Sequence, residues 1–144
     1  MGSTSEGTGL FDAPEEANAT PDSILGVWGG SLEESGITFD TRWKFRADTI
    51  TLATRCSLRD GRQSDTVGVT SRARVSEDEI TFLESKKDEK NTGGVTCRVN
   101  AQPRTLPTCD GPEGFEQNCF RRNGTSLTIY GNPLEKLELV KLSD

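Results

Sequence analysis

Four cysteines are the most reactive side chains in this chain, and their spacing limits what they can do. Cys56, Cys97, Cys109 and Cys119 are separated by 41, 12 and 10 residues, with no Cys-x-x-Cys pair among them. Structural zinc sites use paired short spacings, so no metal site is expected. An even number of cysteines in a small polar chain points instead to two disulfides and an oxidising compartment. The chain has no histidine. This removes imidazole acid–base chemistry, Ser-His-Asp and Cys-His nucleophiles, and all histidine-held metals. Ser, Lys, Asp and Glu are plentiful, but there is no nucleophile elbow and no phosphate loop. The expectation is a protein that is not an enzyme and has no cofactor. Asn18-Ala19-Thr20 and Asn123-Gly124-Thr125 are glycosylation sequons, with meaning only in a eukaryotic secretory setting. Asn123-Gly124 reads better as a hairpin turn.

Charge is unevenly placed. Five of the 23 acidic residues, Glu6, Asp12, Glu15, Glu16 and Asp22, fall within the first 22 positions, which hold no Lys or Arg. That stretch therefore carries −5 of the total −6. The remainder is close to neutral, which disfavours binding nucleic acid through a basic field. Residues 1–22 are rich in Gly, Ser, Thr and Ala, hold two prolines and have almost no large apolar residue. They read as a flexible, disordered tail or linker, dispensable for folding, with the folded domain spanning 23–144. Removing them is expected to leave the melting temperature nearly unchanged. A large drop would mean that the segment packs onto the fold. No basic start followed by an apolar stretch is present, so no signal peptide is visible in this chain.

Only 31% of residues are hydrophobic, which suits a thin-cored β structure. Ile37, Phe39, Thr41, Trp43 and Phe45 alternate with Thr38, Asp40, Arg42, Lys44 and Arg46. This is the period of a half-buried strand. Ile50, Leu52, Thr54, Cys56 and Leu58 alternate with Thr49, Thr51, Ala53, Arg55 and Ser57, and Val67, Val69, Ser71, Ala73 and Val75 follow the same rule. Asp60-Gly61 and Glu77-Asp78 mark turns, and Ile80 to Leu83 is a further strand. Residues 84–94 read as a charged, exposed connection. Val95, Cys97 and Val99 restart the alternation. Residues 101–116 read as a long irregular loop. Cys119 to Arg122, Leu127 to Tyr130 and Leu137 to Leu142 complete the set. No stretch holds a helical period. The fold class is all-β, an antiparallel up-and-down barrel of eight or nine strands, since consecutive tight turns favour closure.

Leu25-Gly26-Val27-Trp28 resembles the G-x-W opening strand of lipocalins and related calycin barrels. The ordered set is similar to small bacterial lipocalin-like domains of exported proteins. That set is Trp43-Lys44-Phe45-Arg46 to Thr51-Leu52, then Cys56, Ile80 to Leu83 with Glu84-Ser85-Lys86, Gly93-Gly94-Val95-Thr96-Cys97, and the Asn-Gly turn into Leu127-Thr128-Ile129. The resemblance covers roughly residues 24–142 and departs from the pattern at 101–119, which carries an additional cysteine pair. It implies a structural role for Trp28, with Lys141 on the last strand packed over its ring by a cation–π contact; an exposed terminal lysine is the plainer reading.

A lipocalin-like barrel directs attention to its interior. The candidate ligand-binding residues are Phe39, Thr41, Trp43, Phe45, Leu52, Thr54, Val69, Ser71, Phe82 and Leu127, with ordinary core packing as the default role for such a set. A second surface is the outward row Arg42, Lys44 and Arg46, extended by Arg55, Arg72 and Arg74. It is either a solvated face balanced by the acidic segment or a contact for an acidic partner. The expected disulfides are Cys56–Cys97 and Cys109–Cys119. The first pair shares the inward face with Leu52 and Val95 and lies within the resemblance. The second closes a short loop. Cys97–Cys119 with Cys56–Cys109 is the competing arrangement.

The functional expectation is a non-enzymatic binding module of the bacterial envelope that holds a small apolar ligand or contacts a protein partner. It would be exported, periplasmic or at the cell surface, and membrane-tethered if a lipid anchor precedes it. The alternative is a secreted protease inhibitor that inserts its N-terminal segment into the protease.

Overall fold

The structure is a computed structural model and describes residues 10–11, 22–64, 66–92, 94–131 and 135–144. Apart from Leu10 and Phe11, the 1–21 part of the acidic segment lies outside the described residues, and so does the expectation of its disorder.

Eleven strands occur among the described residues: β1 (Gly26–Glu34), β2 (Ile37–Phe45), β3 (Thr49–Leu58), β4 (Val67–Val75), β5 (Glu79–Phe82), β6 (Lys86–Thr92), β7 (Val95–Ala101), β8 (Arg104–Pro107), β9 (Cys119–Asn123), β10 (Ser126–Tyr130) and β11 (Lys136–Ser143). Nine of them form one antiparallel sheet in the order β8-β5-β4-β3-β2-β1-β11-β10-β9. The sheet curls into a nearly closed barrel. Its two edges, β8 and β9, meet through a parallel bridge between Thr108 and Phe120, where the Cys109 N–H donates to the Phe120 carbonyl at 2.9 Å. The Cys109–Cys119 disulfide crosses the same seam. An open sheet edge is thus replaced by a covalent closure, which suits a chain short of core hydrophobes.

Alternation in the sequence becomes layers in the barrel because the register is regular. Trp28 faces Trp43, Trp43 faces Leu52, and Leu52 faces Val69. One layer towards the β1–β2 hairpin lie Gly30, Thr41, Thr54 and Val67, and beyond them Leu32, Phe39 and Cys56. That hairpin turns on Ser35 and Gly36 with φ of 54° and 80°. Two consecutive positive φ values are the two-residue turn whose twist suits paired strands. The opposite end of the barrel is shut by Ile24, whose carbonyl accepts the Trp28 indole N–H at 2.9 Å. Both residues are fully buried. At this end Gly26 has φ of +133°, and a Cβ there would sit 2.4 Å from the Ser143 carbonyl oxygen, so glycine is required where β1 meets β11.

Lys141 pairs with Trp28 across β1 and β11. Its side chain is fully buried, with Nζ donating to the Ser23 carbonyl at 2.9 Å and lying 3.0 Å from the Asp144 carboxylate. The plainer reading of Lys141 as an exposed terminal residue is thereby replaced. Its ammonium joins the segment before the first strand to the end of the last.

Two segments read as connections are strands. Residues 84–94 contain β6, and 101–116 contain β8. β6 has the sequence KKDEKNT and pairs only with β7. Having no face of its own to bury, it shows no apolar alternation. β8 is a four-residue strand on β5 with one buried apolar side chain, Leu106, and it ends at Pro107, a position that a sheet edge tolerates. The β6–β7 ribbon is separate from the barrel sheet. Val95, Cys97, Val99 and Ala101 all point into the barrel core. The Cys56–Cys97 disulfide, with Cα atoms 5.7 Å apart, ties β7 to the inner face of β3. Asp88 on β6 accepts the Gly68 N–H of β4 at 3.1 Å. Both disulfides are therefore the pairs expected, and the competing arrangement is absent.

Candidate functional site

The β7 ribbon fills much of the inward surface, so any ligand space must lie beside it. A cleft of about 350 Å³ opens between β7 and the β1–β3 wall at the β1–β2 hairpin end. It is lined by Leu32, Phe39, Thr41, Trp43, Leu52 and Thr54 from the wall, Arg98, Val99 and Asn100 from β7, and Leu137 from β11. A smaller recess of about 170 Å³ shares Trp43, Leu52 and Asn100 with it and adds Phe82, Ala101, Gln102 and Arg104. Trp43 sits between the two recesses.

Packing fixes the aromatic floor. The Trp43 ring meets Phe82 edge-on at 6.2 Å between centroids and lies 5.9 Å from Phe45. Such pairs add to the area they bury and limit ring motion. Thr41 and Thr54 are buried, and their hydroxyls are occupied: Thr41 Oγ1 donates to the Ala53 carbonyl at 3.2 Å and lies 3.4 Å from Thr54 Oγ1. They present methyl groups and satisfied oxygens to the cleft. At the rim Ile37, Phe39, Leu58 and Leu137 are only partly buried against the core, and Leu32 is 44% exposed. The apolar stripe therefore continues from the core out to solvent. The polar groups at the opening come from β7. Arg98 pairs with Glu89 at 3.2 Å on the exposed ribbon, and Asn100 borders both recesses. Arg104 stacks over Phe82 at 5.5 Å, and its burial lowers the guanidinium pKa.

Five of the ten interior candidates, Phe39, Thr41, Trp43, Leu52 and Thr54, come together in the main cleft, and Phe82 lines the smaller recess. Val69, Ser71 and Leu127 border neither. Val69 and Leu127 are core. Ser71 Oγ donates to the carbonyls of Arg72 and Glu84 at 3.1 and 3.2 Å and so serves the backbone. Phe45 faces the other end of the barrel. There a larger recess, about 450 Å³, is lined by Lys44, Arg46, Lys141, Asp144 and main chain, with Leu25 and the 1% exposed Phe45 as its only large apolar groups. Its size exceeds that of the hairpin-end cleft, but it lacks an apolar floor. Leu32, Arg98 and Asn100 were not anticipated as lining residues. The strand before Ser35 carries two inward glycines, which masks its alternation, and Arg98 and Asn100 lie on the outward-facing phase of β7.

Among the described residues no three His, Cys, Asp or Glu side chains are grouped to hold a metal ion, and no helix is long and apolar enough to cross a membrane. The chain is thus an all-strand, nearly closed antiparallel barrel with two disulfides and an apolar cleft at one end. Two disulfides point to an oxidising environment outside the cytosol. Compared with protein-family models, curated proteins and solved structures, the chain matches none at a significant level.

Proposed function

We propose that the protein is a lipocalin-like, non-enzymatic binding module that takes a small apolar ligand in the cleft between Trp43 and β7. The observation that carries this reading is the uninterrupted apolar surface from Trp43 and Leu52 through Phe39 to the incompletely covered Leu32 and Leu137. A volume of about 350 Å³ is at the small end for organic ligands. The ligand's apolar body would lie on Trp43 and Phe39, with any polar end towards the open rim of the cleft. The same rim is also the surface on which a protein partner would rest. The G-x-W start, Gly26 to Trp28, and its register with Lys141 support membership of the calycin barrels. The two disulfides support an exported protein, periplasmic or at the cell surface.

The protease-inhibitor reading needs a free N-terminal segment with apolar anchors. Leu10 and Phe11 are the large apolar residues of that segment, and both lie against the barrel wall. This favours the cleft. Dye-displacement titration of the folded chain separates the two. The cleft reading predicts one saturable site for an apolar probe, weakened at least tenfold by Thr54→Phe, which fills the cleft. No probe binding, together with protease inhibition that vanishes on deleting residues 1–22, would replace it with the inhibitor.

A further inference from the structure

The outer wall carries a second feature, independent of the cleft. Gly29, Arg42, Ala53 and Gly68 are cross-strand neighbours along one outward row of β1 to β4. Three small residues in one row make a shallow trough. At Gly29 a Cβ would come within 2.9 Å of Arg42 Nη1 and 2.7 Å of Leu142 Cδ1, so glycine is what lets those two side chains lie across the wall. Into this trough falls Leu10, buried against Val27 and Ala53, with Leu142 and Phe11 packed alongside. The Phe11 ring is flanked by two guanidiniums from adjacent strands, Arg42 at 4.9 Å and Arg55 at 4.4 Å. Each is oriented by a second contact: Arg42 Nη1 donates to the Thr41 carbonyl at 3.0 Å, and Arg55 donates to Thr66 Oγ1 at 3.4 Å.

A trough for a leucine beside an arginine clamp for a phenylalanine is a recognition site for a short peptide. In sequence, Leu10-Phe11 is followed by Asp12, Glu15 and Glu16, while the wall row carries Arg42, Lys44, Arg46 and Arg55. We infer that this wall is a peptide-binding site for a Leu-Phe pair in acidic context, and that the chain's own N-terminal segment occupies it in cis as a tethered ligand. This explains why two arginines of the outward row face one ring and are not simply solvated. The 14 residues between Phe11 and Gly26 hold the segment at an effective concentration on the order of 1 mM, so occupancy in cis requires an intrinsic dissociation constant at or below that value.

The test uses the full chain and a synthetic peptide of residues 7–16. Leu10→Ala/Phe11→Ala empties the site without touching the wall. That variant is expected to bind the peptide in trans with half-saturation at or below about 1 mM, read as saturable amide shifts at Arg42, Ala53 and Arg55. The unaltered chain, already occupied, should bind at least about twofold weaker, the factor being one plus the ratio of the effective concentration to the dissociation constant measured on the variant. Adding Arg42→Ala/Arg55→Ala to the variant should abolish the shifts while the barrel's circular dichroism stays unchanged. A variant with no saturable shifts, equal binding by both chains, or binding indifferent to the two arginines would overturn the inference. So would an unaltered chain that is dimeric in solution and becomes monomeric with Leu10→Ala/Phe11→Ala, since the occupant would then be a second copy.

Discussion

Single residues at the two ends of the barrel do different jobs. Trp28 and Lys141 close one end by hydrogen bonds that reach outside the strands, to Ile24 and Ser23. Lys141→Ala leaves the Ser23 carbonyl and the Asp144 carboxylate without this donor, and a loss of about 1–3 kcal/mol in urea unfolding is expected. Leu10→Ala removes a side chain that is only 9% exposed on the wall. Burial of this size contributes about 1.5–3 kcal/mol, reduced by the cost of ordering the segment, so a loss of about 1 kcal/mol and a melting point lower by a few degrees are expected. An unchanged melting point would mean that the contact contributes nothing. The sequence did not anticipate this anchor, because a Leu-Phe pair among Gly, Ser and acid has no periodicity. Its significance comes from Gly29, Arg42, Ala53 and Arg55, which lie far from it in the chain.

At the scale of elements, legibility followed whether a strand has a face to bury. β2 and β3 read clearly from Ile37 to Phe45 and from Ile50 to Leu58 because one side of each meets the core. The β9–β10 hairpin was marked by Asn123-Gly124, with Gly124 at φ of 64°. β6 was invisible because its partner β7 supplies the apolar face, and Asp88 and Glu89 act through Gly68 and Arg98. The cleft was half legible for the same reason: its wall comes from β2 and β3, but its lid is the ribbon. Each disulfide secures one such weak element. Reducing Cys56–Cys97 (Cys56→Ala/Cys97→Ala) should cost roughly 4 kcal/mol from the unfolded-chain term, and Cys109→Ala/Cys119→Ala roughly 2.7 kcal/mol. Hydrogen exchange distinguishes them. The first pair should expose the β6–β7 amides, and the second the amides of Cys109 and Phe120 along the seam. The reverse pattern, or uniform exchange in both, would contradict these assignments.

Across the whole molecule, with no histidine and every cysteine in a disulfide, the side chains that titrate between about pH 2 and 8 are carboxylates. The Arg72 main-chain N–H, followed by the charges of Lys86 and Arg72, holds the Glu84 carboxyl below its ordinary 4.5. The Arg62 main-chain N–H does the same for Asp60 against 3.8. A lowered carboxylate pKa contributes stability that is complete above the ordinary value and is lost as pH falls through the lowered one. Stability should therefore be nearly flat from about pH 6 to 8 and decline below 4.5. A transition centred near pH 6.5 would contradict this. The central claim is that the barrel holds an apolar ligand beside Trp43. Its most direct test is titration of the folded, oxidised chain with an apolar fluorophore while tryptophan emission is recorded. With Trp43 in the floor of the cleft, the account predicts saturable transfer from tryptophan to one bound dye, lost in Thr54→Phe. Tryptophan emission that does not respond to the dye, with the barrel intact by circular dichroism, would contradict it.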